Sequence, residues 1–381
     1  MMDGLFSSRS STTFSGPSLL HKFTMKPLIT SAALAAILAT TQSPALKPTG
    51  GRGLTEVPGI KVGHHTLSER PTGCTVILVD GEGVPGGVSQ RGGAPGTSET
   101  DLLDPVNMVD KVNAVVLAGG SAYGLDARQG VVRYLEEHNV GWKVSTGVVP
   151  IVPSAILIDL RFGGNPKVRP TADCGYKAAT TAGTGPVAEG NVGAGAGATV
   201  GKMGGGGPMK GGLGSFAITL PNGLVVGAIV AVNAVGDVID PQSGRVIAGA
   251  RTKDGKALAD TRVLLRAGRM DDEAALNALG NTTIGLVATN ARLTKTEVNR
   301  VAVMADDGFA RAINPSHTTG DGDTVFALAT GRWQGEVSVS VIGALAAEAL
   351  AEAIVRAVSK AESLGGLPSA KELGTVPVRI K

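Results

Sequence analysis

The chain has 381 residues, enough to bury a large core, and its 35 Lys and Arg nearly balance its 32 Asp and Glu. With no basic runs and only 3% aromatic residues, it offers neither the charge nor the stacking surface that a nucleic-acid binder needs. The 56 glycines point instead to close backbone packing and many turns.

In chain order, residues 1–45 read as a targeting segment. Met25-Lys26 leads an apolar run at 28–39, and the small-residue triplet Ser43-Pro44-Ala45 follows it. The run is too short, and too interrupted by Thr30 and Ser31, for a stable membrane span. Export to the periplasm or medium is the expectation; a disordered extension on a cytoplasmic enzyme is the alternative. The folded part is expected from about Leu54, with strands at 54–63 and 74–80 and a loop between them carrying His64 and His65. No further ligand at metal spacing accompanies these histidines, so no metal is expected. Cys74 and Cys174 lie 100 positions apart without CxxC or His spacing and read as buried free thiols, a single bridge being the alternative. Residues 81–96 are rich in Gly and Pro and read as an irregular loop.

A buried strand at 114–118 delivers Gly119-Gly120-Ser121-Ala122-Tyr123-Gly124, and a helix is expected over 125–138 with Val131, Tyr134 and Leu135 on its apolar side. The turn misses the G-x-S-x-G elbow because Tyr123 occupies the last glycine position. Ser121 is therefore turn material. Tyr123 either packs or donates its phenol to a developing oxyanion. Residues 191–203 tempt a phosphate-loop reading and fail it, since Ala196 stands at the first glycine and Met203 at the hydroxyl position. What remains is a glycine-rich backbone ending in Lys202. A hairpin is expected from 215 to 232 about the turn Pro221-Asn222-Gly223, its second strand running into Asn233. Residues 251–280 read as a mobile linker with a helical patch near 271–279.

Beyond the linker comes Gly280-Asn281-Thr282-Thr283-Ile284-Gly285-Leu286-Val287-Ala288-Thr289, a strand rich in β-branched residues behind a Gly-Asn turn. Thr282 is either an ordinary strand start or a nucleophile. Its hydroxyl lacks a base until the Asn281-Thr282 bond is cut and a free amine, of reference pKa roughly 7.7–8.0, appears on the same residue. Thr294-Lys295-Thr296-Glu297 is a capping box opening a helix with Val298, Val301, Ala302 and Ala305 on one face, and Asp306-Asp307-Gly308 is expected to stop it. A polar turn, Pro315-Ser316-His317-Thr318 and Asp321-Gly322-Asp323-Thr324, feeds a second apolar strand to Thr330. The longest helix is expected over 339–363, ended by Gly365, Gly366 and Pro368.

Three of these motifs, Gly280-Asn281-Thr282-Thr283, the Pro315-x-His317-Thr318 and Asp321-Gly322-Asp323-Thr324 pair, and Gly119-Gly120-Ser121-Ala122-Tyr123-Gly124-Leu125, occur together in one order. In this the chain resembles the self-processing hydrolases that include the L-aminopeptidase/D-esterases, the β-peptidyl aminopeptidases and the nylon-oligomer endo-hydrolases, in the branch with a threonine nucleophile. The resemblance implies an α/β (α+β) fold, a four-layer αββα sandwich of N-terminal-nucleophile-hydrolase type, assembled into homo-oligomers. It implies self-cleavage at Asn281-Thr282, giving a large chain, 46–281, and a small chain, 282–381. Thr282 would be the nucleophile, Tyr123 and Asn233 the oxyanion donors, Lys202 an active-site cation, and Asp321 and Asp323 the carboxylates around Thr282. No cofactor is implied. The expected activity is that of an aminopeptidase or amidase on small peptides, amides or esters. Endo-hydrolysis of aminohexanoate oligomers is the first alternative, and acyl transfer of the glutamate/ornithine acetyltransferase type the second.

Overall fold

The computed structural model describes residues 51–268, 280–336 and 338–377. The expected targeting segment and the helical patch near 271–279 lie outside the described residues.

Two sheets lie face to face. Strand Val225–Asn233 explains why, since its residues alternate faces with period two and both faces are apolar. Val226, Ala228, Val230 and Val232 join one core cluster with the helices, while Val225, Ile229 and Ala231 join another with the opposing sheet. The six-stranded sheet runs Gly212–Thr219, Val225–Asn233, Thr282–Thr289, Thr324–Ala329, Val84–Gln90 and Lys111–Val112 in spatial order. Opposite it lies a five-stranded sheet ordered Ile60–Thr66, Gly73–Val79, Ala114–Ala118, Ser154–Ile156 and Thr97–Ser98. Helices Ala127–Glu137 and Ala172–Thr180 cover the outer face of the smaller sheet through Ala127, Val131, Leu135, Ala178 and Ala179. Helices Lys295–Ala305 and Val339–Lys360 cover the larger sheet on its far side. The result is the expected four layers, αββα.

Several elements agree with their sequence signals. Strand Gly212–Thr219 pairs antiparallel with Val225–Asn233, from Gly212↔Val232 to Thr219↔Val225. The Thr294 capping box is formed, its side chain and that of Glu297 each accepting the other's backbone N–H, and the buried residues of that helix are Val298, Val301, Ala302 and Ala305. The long helix spans Val339–Lys360.

Others differ. His64 and His65 belong to strand Ile60–Thr66, where His65 pairs with Cys74, because the strand runs on to reach its partner's full length. The glycine-rich stretch expected to be a loop contains strand Val84–Gln90, paired with Thr324–Ala329. Its glycines are required there: a Cβ on Gly87 would lie 2.6 Å from the backbone nitrogen of Asn299, on the helix packed over it. The Asp306-Asp307-Gly308 stop holds for one helix but starts another, Asp307–Ala312. The linker is folded at its start. Buried Asp237 accepts hydrogen bonds from Ala250 N (2.7 Å), Thr261 N (2.6 Å) and Thr261 Oγ1 (2.7 Å), anchoring helix Thr261–Arg266. Cys74 and Cys174 are not free thiols. They form a disulfide, with Cα atoms 6.3 Å apart, between strand Gly73–Val79 and helix Ala172–Thr180. No helix of the described residues is long and apolar enough to cross a membrane.

Candidate active site

Thr282 opens a strand whose two neighbours each bring a functional end to it. On the antiparallel side Asn233, the last residue of its strand, stands opposite Thr282. On the parallel side Ile284 aligns with Thr324, and an isolated bridge joins Asn281 to Asp321, so the Asp-Gly-Asp turn runs beside the Asn281-Thr282 bond. Sheet register alone therefore brings together four of the expected residues.

In the intact chain Thr282 is only 2% exposed. Its Oγ1 donates a hydrogen bond to the Asn281 carbonyl oxygen, which also accepts the Gly322 N–H at 3.3 Å. Asp323 Oδ1 accepts the Thr283 N–H at 2.7 Å, and Asp321 Oδ2 accepts the Thr318 N–H at 2.8 Å. Burial, helped by the charge of Asp323, pushes the Asp321 carboxyl up to about 6, against the pull of Thr318 and Lys202. Gly322 allows this closeness: a Cβ there would sit 2.9 Å from Thr282 Oγ1 and 2.8 Å from the Ala94 carbonyl oxygen. On the expectation of self-cleavage at Asn281-Thr282, Gly322→Ala should slow it by on the order of 100-fold, the usual result of an ångström-scale displacement of reacting groups. A denaturing-gel time course on refolded protein measures it, with circular dichroism verifying the fold.

Lys202 reaches the site from the glycine-rich segment, held by backbone bonds from Gly201 N to Gly236 O and from Lys202 N to Val235 O. Its Nζ donates to Asn233 O and Asn233 Oδ1, each at 3.0 Å, and to the Gly280 carbonyl at 2.8 Å. Loss of water lowers this ammonium to about 7, Arg161 adding to the fall and Asp321 and Asp323 opposing it. Asn233 is fully buried. Its Oδ1 also accepts Thr199 N at 3.1 Å, and its Nδ2 donates to Gly280 O and Ile158 O, each at 3.0 Å. The Gly280 carbonyl, one residue before the Asn281 carbonyl, is thus held by two side-chain donors.

Tyr123 stands apart. It is 59% exposed, with the Arg169 guanidinium 3.7 Å over its ring, and its hydroxyl makes no hydrogen bond among the described residues. Its turn is nevertheless tied to the site's flank: Ser121 N bonds Leu157 O, next to the Ile158 carbonyl that holds Asn233. Sequence reasoning missed the Gly322 N–H, a backbone donor with no residue-type signal. His317 belongs to the Pro315-x-His317-Thr318 motif, which by itself signals no role for it.

Against this geometry, residues 52–371 match the model of peptidase family S58. The chain belongs to that family. As a member of peptidase family S58 it is similar to an uncharacterized aminopeptidase of Mycobacterium leprae, 46% identical over 83% of this chain and 92% of the relative. It is also similar to the 6-aminohexanoate-oligomer endohydrolase of an Agromyces species, 30% identical over 79% of this chain and 84% of the relative. Among solved structures, the L-aminopeptidase D-Ala-esterase/amidase of Ochrobactrum anthropi, described as a variant of the Ntn hydrolase fold, superposes with TM-score 0.61 at 19% identity, covering 86% of this chain and 95% of that one. A Burkholderia β-aminopeptidase gives TM-score 0.61 at 24% identity, covering 87% and 96%.

Proposed function

We propose that this S58 peptidase-family chain cuts itself between Asn281 and Thr282 and then hydrolyses amides with Thr282 as an N-terminal nucleophile. The observation that carries the reading is the Thr282 hydroxyl resting on the Asn281 carbonyl, with the Gly322 N–H on the same oxygen. In the first phase Oγ1 attacks the Asn281 carbonyl carbon, the C–N bond breaks and the nitrogen takes the proton. Water then hydrolyses the ester, leaving an Asn281 carboxylate and the Thr282 amine. In the second phase that amine takes the Oγ1 proton and Oγ1 adds to a substrate amide carbonyl; the C–N bond breaks as the departing amine takes that proton, and water hydrolyses the acyl ester to free Thr282. Gly322 N–H, Asn233 Nδ2 and Lys202 Nζ are the donors available to the oxyanion, and Asp321 and Asp323 hold the Thr282 ammonium and its neighbour in register. Tyr123, exposed and without a hydrogen-bond partner for its phenol, would join them only with substrate bound.

Processed chains of 46–281 and 282–381, with 1–45 removed on export, complete the proposal. The Cys74–Cys174 disulfide supports an oxidising compartment, the periplasm or medium rather than the cytoplasm. Exposed Val144 and Val149 on one hairpin support assembly into a homo-oligomer.

The first substrate class is small peptides and amides. A second reading, internal cleavage of oligoamides, is favoured by the two donors on Gly280 O. A substrate continuing on its acyl side can place a carbonyl there, whereas a free ammonium would meet Lys202. The test sets aminoacyl anilides against N-acylated oligoamides with purified, cleaved protein, products being identified by mass spectrometry. Hydrolysis of either supports amide hydrolysis and ranks the two readings. Cleaved protein that hydrolyses neither, but passes acetyl from acetylornithine to glutamate, overturns both.

A further inference from the structure

The turn after helix Asp307–Ala312 carries a residue to which the reaction above gives no role. His317 adopts the left-handed conformation, with φ 56°, and this aims successive backbone N–H groups at the site's two carboxylates. His317 N donates to Asp323 Oδ2 at 3.0 Å, while Thr318 N serves Asp321. The His317 ring adds a second contact to the same oxygen, Nδ1 lying 3.0 Å from Asp323 Oδ2. One residue thus grips Asp323 twice, and the other oxygen of Asp323 holds the N–H of Thr283, next to the nucleophile.

The far side of the ring is also occupied. His317 Nε2 lies 3.4 Å from Asp306 Oδ1, and Asp306 Oδ2 accepts Ser89 Oγ at 2.6 Å and faces Arg91 Nε at 3.4 Å. Arg91 in turn faces Asp307 at 3.6 Å. A single imidazole therefore lies between two buried carboxylates, hydrogen-bonded to Asp323 and within ion-pair distance of Asp306, whose Oδ1 accepts no hydrogen bond among the described residues.

We propose that His317 is a positioning residue for the threonine site: held between Asp323 and Asp306, it fixes the Asp323 carboxyl that holds the nucleophile strand. The proposal rests on Thr282 being the nucleophile. Charges around the ring fit it. Burial alone would lower His317, but Asp323 and Asp306 outweigh burial and the opposing Arg91, so its pKa is raised. Asp306, pushed up to about 6 by burial, is held back from rising further by Ser89, His317 and Arg91.

The experiment compares wild type, His317→Ala, His317→Asn and Thr282→Ala as full chains, measuring self-cleavage rate, kcat, KM and their pH profiles. His317→Ala is expected to lower kcat and the self-cleavage rate by roughly 10–100-fold with KM little changed. Its acid limb should move to higher pH, because Asp306 loses the neighbouring charge that holds its buried carboxyl down. His317→Asn, which restores a neutral donor to Asp323, should recover most of the rate and keep the shifted limb. A His317→Ala profile superimposable on wild type overturns the proposal. So does a lower rate with an unmoved limb in both His317 variants, which would mean that the ring only packs. If Thr282→Ala still cleaves itself, the nucleophile reading fails, whatever the His317 variants do.

Discussion

Thr282→Ala is expected to leave the bond between residues 281 and 282 intact, so that denaturing gels show one band where wild type shows the two processed chains. Turnover should fall by on the order of a million-fold, as when the nucleophile of a coupled catalytic group is removed. In the proposed mechanism the loss is this large because one atom, Oγ1, serves both phases, as the attacking group in the intact chain and as the acyl carrier once the amine is free. Thr282→Ser keeps the hydroxyl and should still be processed. It loses only the methyl that lies 3.2 Å from where a Gly322 Cβ would be. Intact-mass measurement over a time course separates the two variants. A two-chain pattern in Thr282→Ala would assign the cut to another residue or to an outside protease.

Replacing Lys202 is the second large effect. Lys202→Met removes a donor shared by Gly280 O and Asn233, and kcat should fall by about 100- to 1000-fold, the range for a lost oxyanion donor. The pH profile of wild-type self-cleavage, which takes place in the intact chain before the Thr282 amine exists, should be bell-shaped. Below about 6 Asp321 takes a proton, above about 7 Lys202 gives one up, and the doubly charged site is most populated between them. Lys202→Arg, charged throughout, should lose the alkaline limb at reduced amplitude. Stability should move the other way. Lys202 binds its proton less well folded than unfolded, so burying the charge destabilises the fold fully below pH about 7, and that penalty shrinks as pH rises toward the unfolded value, 10.5. The change in melting temperature of Lys202→Met relative to wild type should therefore be more favourable at pH 6 than at pH 9. An equal change at both values would mean that Lys202 is not held near neutrality. Asp321 has the opposite slope, its contribution to stability falling as pH rises from 3.8 to about 6.

These predictions concentrate on residues from three distant parts of the chain, and the sequence treated those parts unequally. Strand Thr282–Thr289 and the capped helix after it could be read directly, because β-branched residues behind a Gly-Asn turn, and a Thr and Glu three apart, are local signals. Asp321 and Asp323 were visible as residues, but their roles came from resemblance, since an Asp-Gly-Asp turn alone fits an exposed loop equally well. Lys202 and Asn233 had no local signal at all. One closes a glycine run and the other a strand, and nothing nearby shows that both reach Gly280 O.

The sequence by itself determined the hairpin to Asn233, strand Thr282–Thr289, the Thr294-capped helix and the long helix Val339–Lys360, because turn chemistry and side-chain period act over a few residues. Tertiary structure alone decided what depends on distant partners. It paired Cys74 with Cys174, and made a strand of Val84–Gln90 where only glycine admits the helix above it. It pinned the start of the linker through Asp237, and set Gly322 against Thr282. Each of these is a contact between segments tens to hundreds of residues apart, fixed by sheet register and layer packing, which short-range pattern does not encode.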